Sequence, residues 1–329
     1  MKKIGWLKIS SRKYGGVAYE ELAREALAGD FDVELVEVKS NIFKKGYLRA
    51  PEIIWNLIRL KGEKDLWVRD NNTIIALPFS RIKGKTLAMV HHIDFSTTPL
   101  WAKPLDFMIE RFIYFGLKKA DFIVTVSKYW QEHFLKRGYK NVFKIYNAFN
   151  ISEYDFKDEE IAEFKKKYNL EGKPIIYLGS CQKAKGVLES YSVLKDLNSY
   201  LVTSGEPLFK KSPARNLQIP YREYLKLLKA SDVALAMSKF KEGWCRVAHE
   251  AMLLKTPVVG SGLGGMKELL EGGKQIVCPD FKSLREKVEY LLNNPEVRAK
   301  MGEDGYNFAK NFTLEKFKSD WLSLINRLL

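Results

Sequence analysis

Residues 230–273 read ASDVALAMSKFKEGWCRVAHEAMLLKTPVVGSGLGGMKELLEGG, and their pattern decides the fold. Ser231-Asp232 closes a helix, and Val233–Met237 is a short apolar run that suits a buried strand. Glu242 and Gly243 fall in the loop that follows. A helix is predicted from Arg246 or Val247 to about Lys255, with Glu250 in its first turn. Pro257 opens a second buried strand, Val258-Val259, which ends in the glycine-rich turn Ser261–Gly265. Seven residues separate Glu242 from Glu250, a spacing that lets both carboxylates face one crevice. A helix N-terminus with glycines at the carboxyl ends of parallel strands is where α/β folds bind phosphorylated ligands.

Outward from this stretch the alternation of strand and helix continues. Ile4–Ile9 reads as a strand, followed by Ser10–Tyr14, the pair Gly15-Gly16 and a helix from Val17 to Ala28. Strand, glycine turn, helix is a phosphate-approach geometry, although a lone Gly-Gly is ordinarily just a turn. Phe31–Lys39 alternates as a strand, and Leu66–Arg69 and Thr86–Val90 are two more. The last ends in His91-His92-Ile93-Asp94, which places two of the four histidines at a strand terminus. Open sheets bind ligands there; the plain alternative is a histidine capping the strand edge. In Pro99–Lys119, Trp101, Leu105, Met108, Phe112 and Phe115 share one helix face and read as the core side of an amphipathic helix. The surplus aromatics, with Lys103, Arg111, Lys118 and Lys119, keep a membrane-surface role open. After the strands Phe122–Val126 and Val142–Tyr146 comes a charged linker and helix. The pattern then restarts at Pro174–Leu178, with a loop over Gly179–Lys185 and a helix from Gly186.

A chain of 329 residues suggests two domains of roughly 150 residues each. The boundaries expected are 1–150, 151–311 and a last helix over 312–329. At 46% apolar and 13% aromatic, the chain can bury sizeable cores. No long uncharged apolar run suggests a membrane-spanning helix, and MKKIGWLKIS reads as a first strand rather than a signal peptide. Cys181, Cys245 and Cys278 are far apart and lack metal-ligand spacing, which points to a reduced, cytoplasmic compartment. Residues 1–150 hold 26 Lys/Arg against 16 Asp/Glu, so they carry +10 of the net +15. A front half this basic suits an anionic partner, such as an anionic membrane surface on whose inner face the protein would sit. It equally suits a plain solvated, lysine-rich surface. No nucleic-acid motif is present, and no nucleic acid is expected as a partner.

The ordered set Glu242, Glu250-Ala251-Met252, Pro257-Val258-Val259, Gly264-Gly265 and Glu268 resembles the retaining glycosyltransferases of family four. The resemblance covers nearly the whole chain and is sharpest from Lys185 onward. It implies the GT-B fold: two Rossmann-like, doubly wound α/β domains facing a central cleft, with a C-terminal helix crossing back to the first. In such enzymes Gly15-Gly16 would lie beside the donor's sugar and phosphates, and His91 close to the transferred sugar. Asn147-Ala148-Phe149-Asn150 stands where the family has Asn-Gly-Val-Asp. The family's diphosphate grip is an Arg and a Lys-Gly pair. Lys185-Gly186 is present, but Ser180 occupies the Arg position, and Lys183 or the Ser180 hydroxyl is left to substitute.

The reaction implied is transfer of a sugar from a UDP- or GDP-linked donor to an acceptor hydroxyl, on a lipid-linked or cell-envelope glycan, with no metal ion and no other cofactor. Glu250 would hold the ribose hydroxyls, because a carboxylate accepts two hydrogen bonds at once. Glu242 would contact the sugar ring. Lys185 and the helix that begins with Arg246 and Val247, after Gly243, would face the leaving diphosphate. Two rivals share the donor site: a GT-B epimerase or hydrolase, which needs an added base near His91, and a non-catalytic nucleotide-sugar-binding protein.

Overall fold

The computed structural model describes residues 1–9, 15–42, 49–209 and 212–329. Residues 10–14, and Lys44, Lys45 and Tyr47 of the basic front half, lie outside the described residues. The chain divides into two compact units, one of Met1–Ala148 with Leu314–Leu329 and one of Phe149–Thr313.

The first unit runs β1 (Lys3–Ile9), α1 (Gly15–Leu27), β2 (Asp32–Val38), α2 (Arg49–Arg59), β3 (Glu63–Arg69), β4 (Lys83–Val90), α3 (Lys103–Leu117), β5 (Phe122–Thr125), α4 (Lys128–Leu135) and β6 (Val142–Lys144). Its strands pair in the order β2-β1-β3-β4-β5-β6, all parallel. Parallel sheets are covered on both faces, so their strands read as continuous apolar runs. The end of β4, Leu87-Ala88-Met89-Val90, is buried throughout. The 3-10 helix Ile74–Phe79, for which the sequence offered no signal, lies between β3 and β4.

The second unit runs α5 (Asp158–Lys167), β7 (Ile175–Ser180), α6 (Val187–Leu194), β8 (Tyr200–Ser204), β9 (Arg215–Leu217), α7 (Tyr221–Ala230), β10 (Val233–Ala236), α8 (Arg246–Leu253), β11 (Val258–Gly260), α9 (Met266–Gly272), β12 (Ile276–Val277), α10 (Leu284–Asn293) and α11 (Pro295–Ala309). The sheet order is β12-β11-β10-β7-β8-β9, again all parallel. The chain lays β8 and β9 to one side of β7, then returns to place β10, β11 and β12 on the other. The carboxyl ends of β7 and β10 therefore flank a topological switch point, the place where open α/β sheets leave a crevice. Ile176, Leu178, Val233, Leu235 and Val259 fill the core beneath it.

Helix α3 corrects the sequence reading. Trp101, Leu105, Met108, Phe112 and Phe115 are exposed, and the buried side is Asp106, Ile113, Gly116 and Leu117. That side packs on the 3-10 helix Ile74–Phe79 so closely that a Cβ at Gly116 would lie 2.2 Å from the Ile74 carbonyl oxygen. The helix is apolar on both sides. Periodicity groups residues onto a face but does not say which face meets the core.

The last helix, α12 (Leu314–Leu328), belongs to the first unit, where it packs on α1. Trp321 is fully buried, with its ring 6.2 Å from Trp6 and 6.3 Å from Tyr19, and Phe317 meets Tyr19 edge-on at 5.2 Å. Tyr19 is held in turn by a hydrogen bond from its hydroxyl to the Ile145 carbonyl, 3.0 Å. Trp321→Ala is therefore expected to cost about 3–5 kcal/mol, the usual loss for a buried aromatic. Denaturant unfolding followed by circular dichroism measures it; a loss under about 1 kcal/mol would show that α12 contributes little to the first unit.

Candidate functional site

The second unit's switch point is assembled by two glycines. Strand β7 ends at Ser180, and a 3-10 turn, Lys183–Lys185, leads to Gly186. Gly186 has φ +70°, and a Cβ there would sit 2.3 Å from the Met237 carbonyl oxygen. Only glycine allows this approach. It brings the turn against the end of β10, where the Lys239 amide donates to the Ala184 carbonyl, 2.8 Å.

Here Lys185 Nζ donates to Glu242 Oε1 at 2.5 Å, and Ser238 Oγ donates to the same oxygen at 2.5 Å. The ammonium also lies 4.8 Å over the Phe240 ring. Burial alone would pull the Lys185 pKa down, but the Glu242 carboxylate outweighs it and the pKa lies above the usual lysine value. Lys185 is a fixed cation at any physiological pH. The backbone of Glu242 is gripped by the second glycine turn. Its amide donates to the Leu263 carbonyl at 3.2 Å, and its carbonyl accepts from the Gly265 amide at 2.9 Å. Gly264 has φ +70°, and a Cβ there would lie 2.4 Å from the Glu242 carbonyl oxygen. Gly243 follows in a buried bend and leads into α8.

Helix α8 begins at Arg246, and its first turn holds no acidic residue; Glu250 is one turn further in than the sequence suggested. Glu250 is buried and already saturated. Tyr221 Oη donates to Oε1 at 3.0 Å, Tyr224 Oη donates to Oε2 at 2.9 Å, and Arg246 Nη2 lies 3.3 Å from Oε1. Burial, reinforced by the Glu250 charge, pushes both tyrosine pKa values up, so both remain hydroxyl donors. Arg246 stacks over Phe149 at 4.5 Å. Ser180 and Val247 meet in a recess of about 340 Å³ beside Tyr177, Ser204, Ile219 and Tyr221. Lys183 is exposed on its turn.

In the first unit, Gly15 and Gly16 open α1, and His91 is the residue after β4. His91 meets Tyr19 edge-on at 5.1 Å, and its Nε2 is buried without a hydrogen-bond partner. Burial, with a smaller push from His92, lowers its pKa to about 3, so the ring is neutral in use. Glu20, which the sequence reading passed over, is buried on α1; burial and then the Asp70 charge raise its pKa to about 8.

Sequence reasoning also missed Ser238, the two tyrosines and His249. Tyr221 and Tyr224 are three apart on a helix and so share a face, which was a usable signal. Ser238 had none. His249 is structural: Trp244 Nε1 donates to its Nδ1 at 3.1 Å, and its Nε2 lies 3.1 Å from the Ala309 carbonyl. These partners fit only the neutral tautomer with the proton on Nε2. Burial lowers the His249 pKa to about 3, against a smaller opposing effect of the Ala309 carbonyl.

Residues 158–308 match the family described as Glycosyl transferases group 1. An uncharacterised glycosyltransferase of Methanocaldococcus jannaschii is 28% identical over 221 residues, which cover 62% of this chain and 59% of that protein. The trehalose synthase of Pyrococcus horikoshii is 37% identical over 109 residues, 32% of this chain and 26% of its own length. The chain thus spans less than two thirds of the length of these curated relatives. Anabaena HepE, crystallised with UDP-glucose, shares the fold with a TM-score of 0.78 at 16% identity, over 99% of this chain and all of that one. The match to the group 1 glycosyltransferases lies within the second unit, and the fold of the chain is GT-B.

Two outcomes are expected from this geometry. Gly264→Ala introduces both a left-handed alanine and a clash with the Glu242 backbone, at a cost of about 1–3 kcal/mol; a thermal melt that leaves stability unchanged would mean the turn does not grip Glu242. Acid sensitivity is the second. The unfolded chain takes up a proton on His249 near pH 6.5 that the native chain refuses until about pH 3, so this histidine makes stability fall as pH drops through that range. Glu20 acts in the opposite sense, since its native carboxyl holds a proton up to about pH 8. The difference between parent and His249→Gln isolates the histidine: the variant's stability should fall less on acidification from about pH 6.5 to 5. Parallel curves would show that His249 titrates normally.

Proposed function

We propose that the chain moves a sugar from a UDP- or GDP-linked donor to an acceptor hydroxyl, with retention at the anomeric carbon and without a metal ion. One observation carries this reading: a half-buried, permanently charged Lys185 is held against Glu242 at the second sheet's switch point, by two glycine turns that tolerate no side chain. The second unit takes the nucleotide sugar, and the first takes the acceptor, a lipid-linked or cell-envelope glycan.

In this reading the bond from the anomeric carbon to the diphosphate oxygen breaks, and a bond to the acceptor oxygen forms on the same face. The acceptor proton goes to the departing phosphate, so no separate base is required. The charge that develops on the diphosphate meets Lys185 and the N-terminus of α8 at Arg246 and Val247. Ser180 offers a hydroxyl where the family pattern that the sequence resembles has an Arg, and Lys183 supplies a second positive charge. Glu242 contacts the ring hydroxyls of the sugar. In the first unit, His91 offers a neutral hydrogen-bonding imidazole at the end of β4, and Gly15-Gly16 opens α1 without a side chain. Glu250 takes the ribose hydroxyls, for which Tyr221 must release it; Tyr221 is 47% exposed, so its ring has room to swing away.

The test is a screen of UDP- and GDP-sugars by thermal shift, followed by turnover with the stabilising donor and product configuration by NMR. The expected result is transfer with retention that survives a chelator. Release of free sugar regardless of acceptor would replace this reading with a hydrolase, and the absence of any donor binding would end it. Lys185→Met should weaken binding of the bare nucleotide diphosphate about tenfold to a hundredfold, the worth of a charge-assisted hydrogen bond. Glu242→Gln should lower turnover far more than it weakens that binding. Ser180→Arg should tighten the diphosphate; weaker binding would mean that the turn after β7 holds the phosphates by another route. Tyr221→Phe should bind the nucleotide diphosphate at least as tightly as the parent, and weaker binding would refute the ribose assignment of Glu250.

A further inference from the structure

We propose that the exposed face of α3, with the turn before it, is a docking surface for an anionic lipid bilayer. This inference is independent of the transfer reading. Leu100 is 87% exposed, Trp101 71% and Phe107 60%, and Leu105, Met108, Phe112 and Phe115 are exposed beside them. Phe107, Met108, Phe112 and Phe115 line a recess of about 690 Å³ with Arg111 and Lys118. A single exposed apolar side chain is ordinary, but a contiguous patch rimmed by polar groups marks an interaction site.

The charges on this face select the occupant. Arg111, Lys118 and Lys119 are all exposed on or just beyond α3. The helix's two acids are elsewhere: Asp106 is buried and accepts from Thr98 Oγ1, and Glu110 lies toward the buried side. The exposed face is therefore apolar and cationic, with no carboxylate on it. Arg111 also sits 5.2 Å over the Phe107 ring, which keeps the guanidinium at the apolar surface. A second copy of the chain laid face to face on this helix would set Arg111, Lys118 and Lys119 against their own kind. An anionic bilayer takes both features at once, the aromatics at the headgroup–acyl boundary and the cations among the headgroups. The surroundings agree: Trp55 on α2 and Phe79 at the end of the 3-10 helix are also exposed, on elements packed next to one another, and Arg59 lies 5.7 Å over the Trp55 ring. No helix among the described residues is long and apolar enough to cross a membrane, so the contact is one of lying on the surface.

The experiment is co-sedimentation of the full chain with vesicles of phosphatidylcholine alone and of phosphatidylcholine mixed equally with phosphatidylglycerol. Binding to the mixed vesicles is expected at low salt, weakening as ionic strength rises and the Debye length shrinks. Replacing Arg111, Lys118 and Lys119 by Ser should lower binding about fivefold per cation. The double variant Trp101→Ser, Phe112→Ser should lose binding although every cation remains. All five side chains are exposed, so the melting temperature should not move, and none is assigned to the donor. Failure to sediment with either vesicle overturns the proposal, as does equal sedimentation with both. A concentration-dependent dimer in light scattering, abolished by the Trp101→Ser, Phe112→Ser pair in a protein that ignores vesicles, also overturns it and assigns the face to a second copy.

Discussion

The contact between Gly264 and the backbone of Glu242 is the constraint on which the second unit's site depends. Glu242 sits in a loop, and loops do not by themselves hold a carboxylate in place. The glycine turn supplies one donor and one acceptor to the Glu242 main chain and leaves no room for a β-carbon between them. With its backbone fixed, the side chain is aimed at Lys185, which Gly186 delivers from the other side of the switch point. Two tight turns from separate crossovers thus set one ion pair. Only the carboxylate of this pair is buried, and an ion pair taken partly out of water adds little to stability.

Glu250 follows a different economy. It lies under two tyrosines and an arginine, with a third tyrosine, Tyr154, bonded to Tyr221. Each of its oxygens is satisfied inside the protein, so removing the carboxylate would strand the Tyr224 hydroxyl and take its partner from the half-buried Arg246 guanidinium, while Tyr221 would keep Tyr154. Its helix position explains the burial: the fifth residue of α8 lies beyond the half-buried Arg246 and Val247, on a helix packed against α7. Glu242 and Glu250 therefore read alike in sequence but stand in unlike settings, one bound by an ammonium and a serine, the other by two phenols and a guanidinium.

Much of this was legible in the chain itself. The apolar runs that become β4, β7 and β10 are what doubly covered parallel strands require, and the glycine turn after Val258-Val259 announced the crevice. The three-residue edge strand β9, Arg-Asn-Leu, has no apolar pattern and could not be seen. Helix α3 misled for a definite reason. Its stripe of Trp101, Leu105, Met108, Phe112 and Phe115 has textual regularity, but the smaller set of Ile113, Gly116 and Leu117 makes the buried contact, because only a glycine lets the helix settle on the Ile74 carbonyl. Ser238 was invisible since its role is created by distance in space from Glu242, and Tyr221 and Tyr224 were missed although their spacing announced a shared face.

The placement of α12 bears on how the protein is made. The first unit is discontinuous: its core needs Trp321 and Phe317 against Trp6 and Tyr19, yet these residues follow the whole of the second unit in the chain. During synthesis the ribosome emits β1 to β6, then all of the second unit, and only then the helix that closes the first. Domains generally fold as units as they emerge. The second unit, contiguous from Phe149 to Thr313, has everything it needs before α12 appears, while the first must wait with its aromatic cluster open. The order of translation is thus the reverse of the order of completion, and the nascent first unit is the part of the chain that chaperones would have to shield.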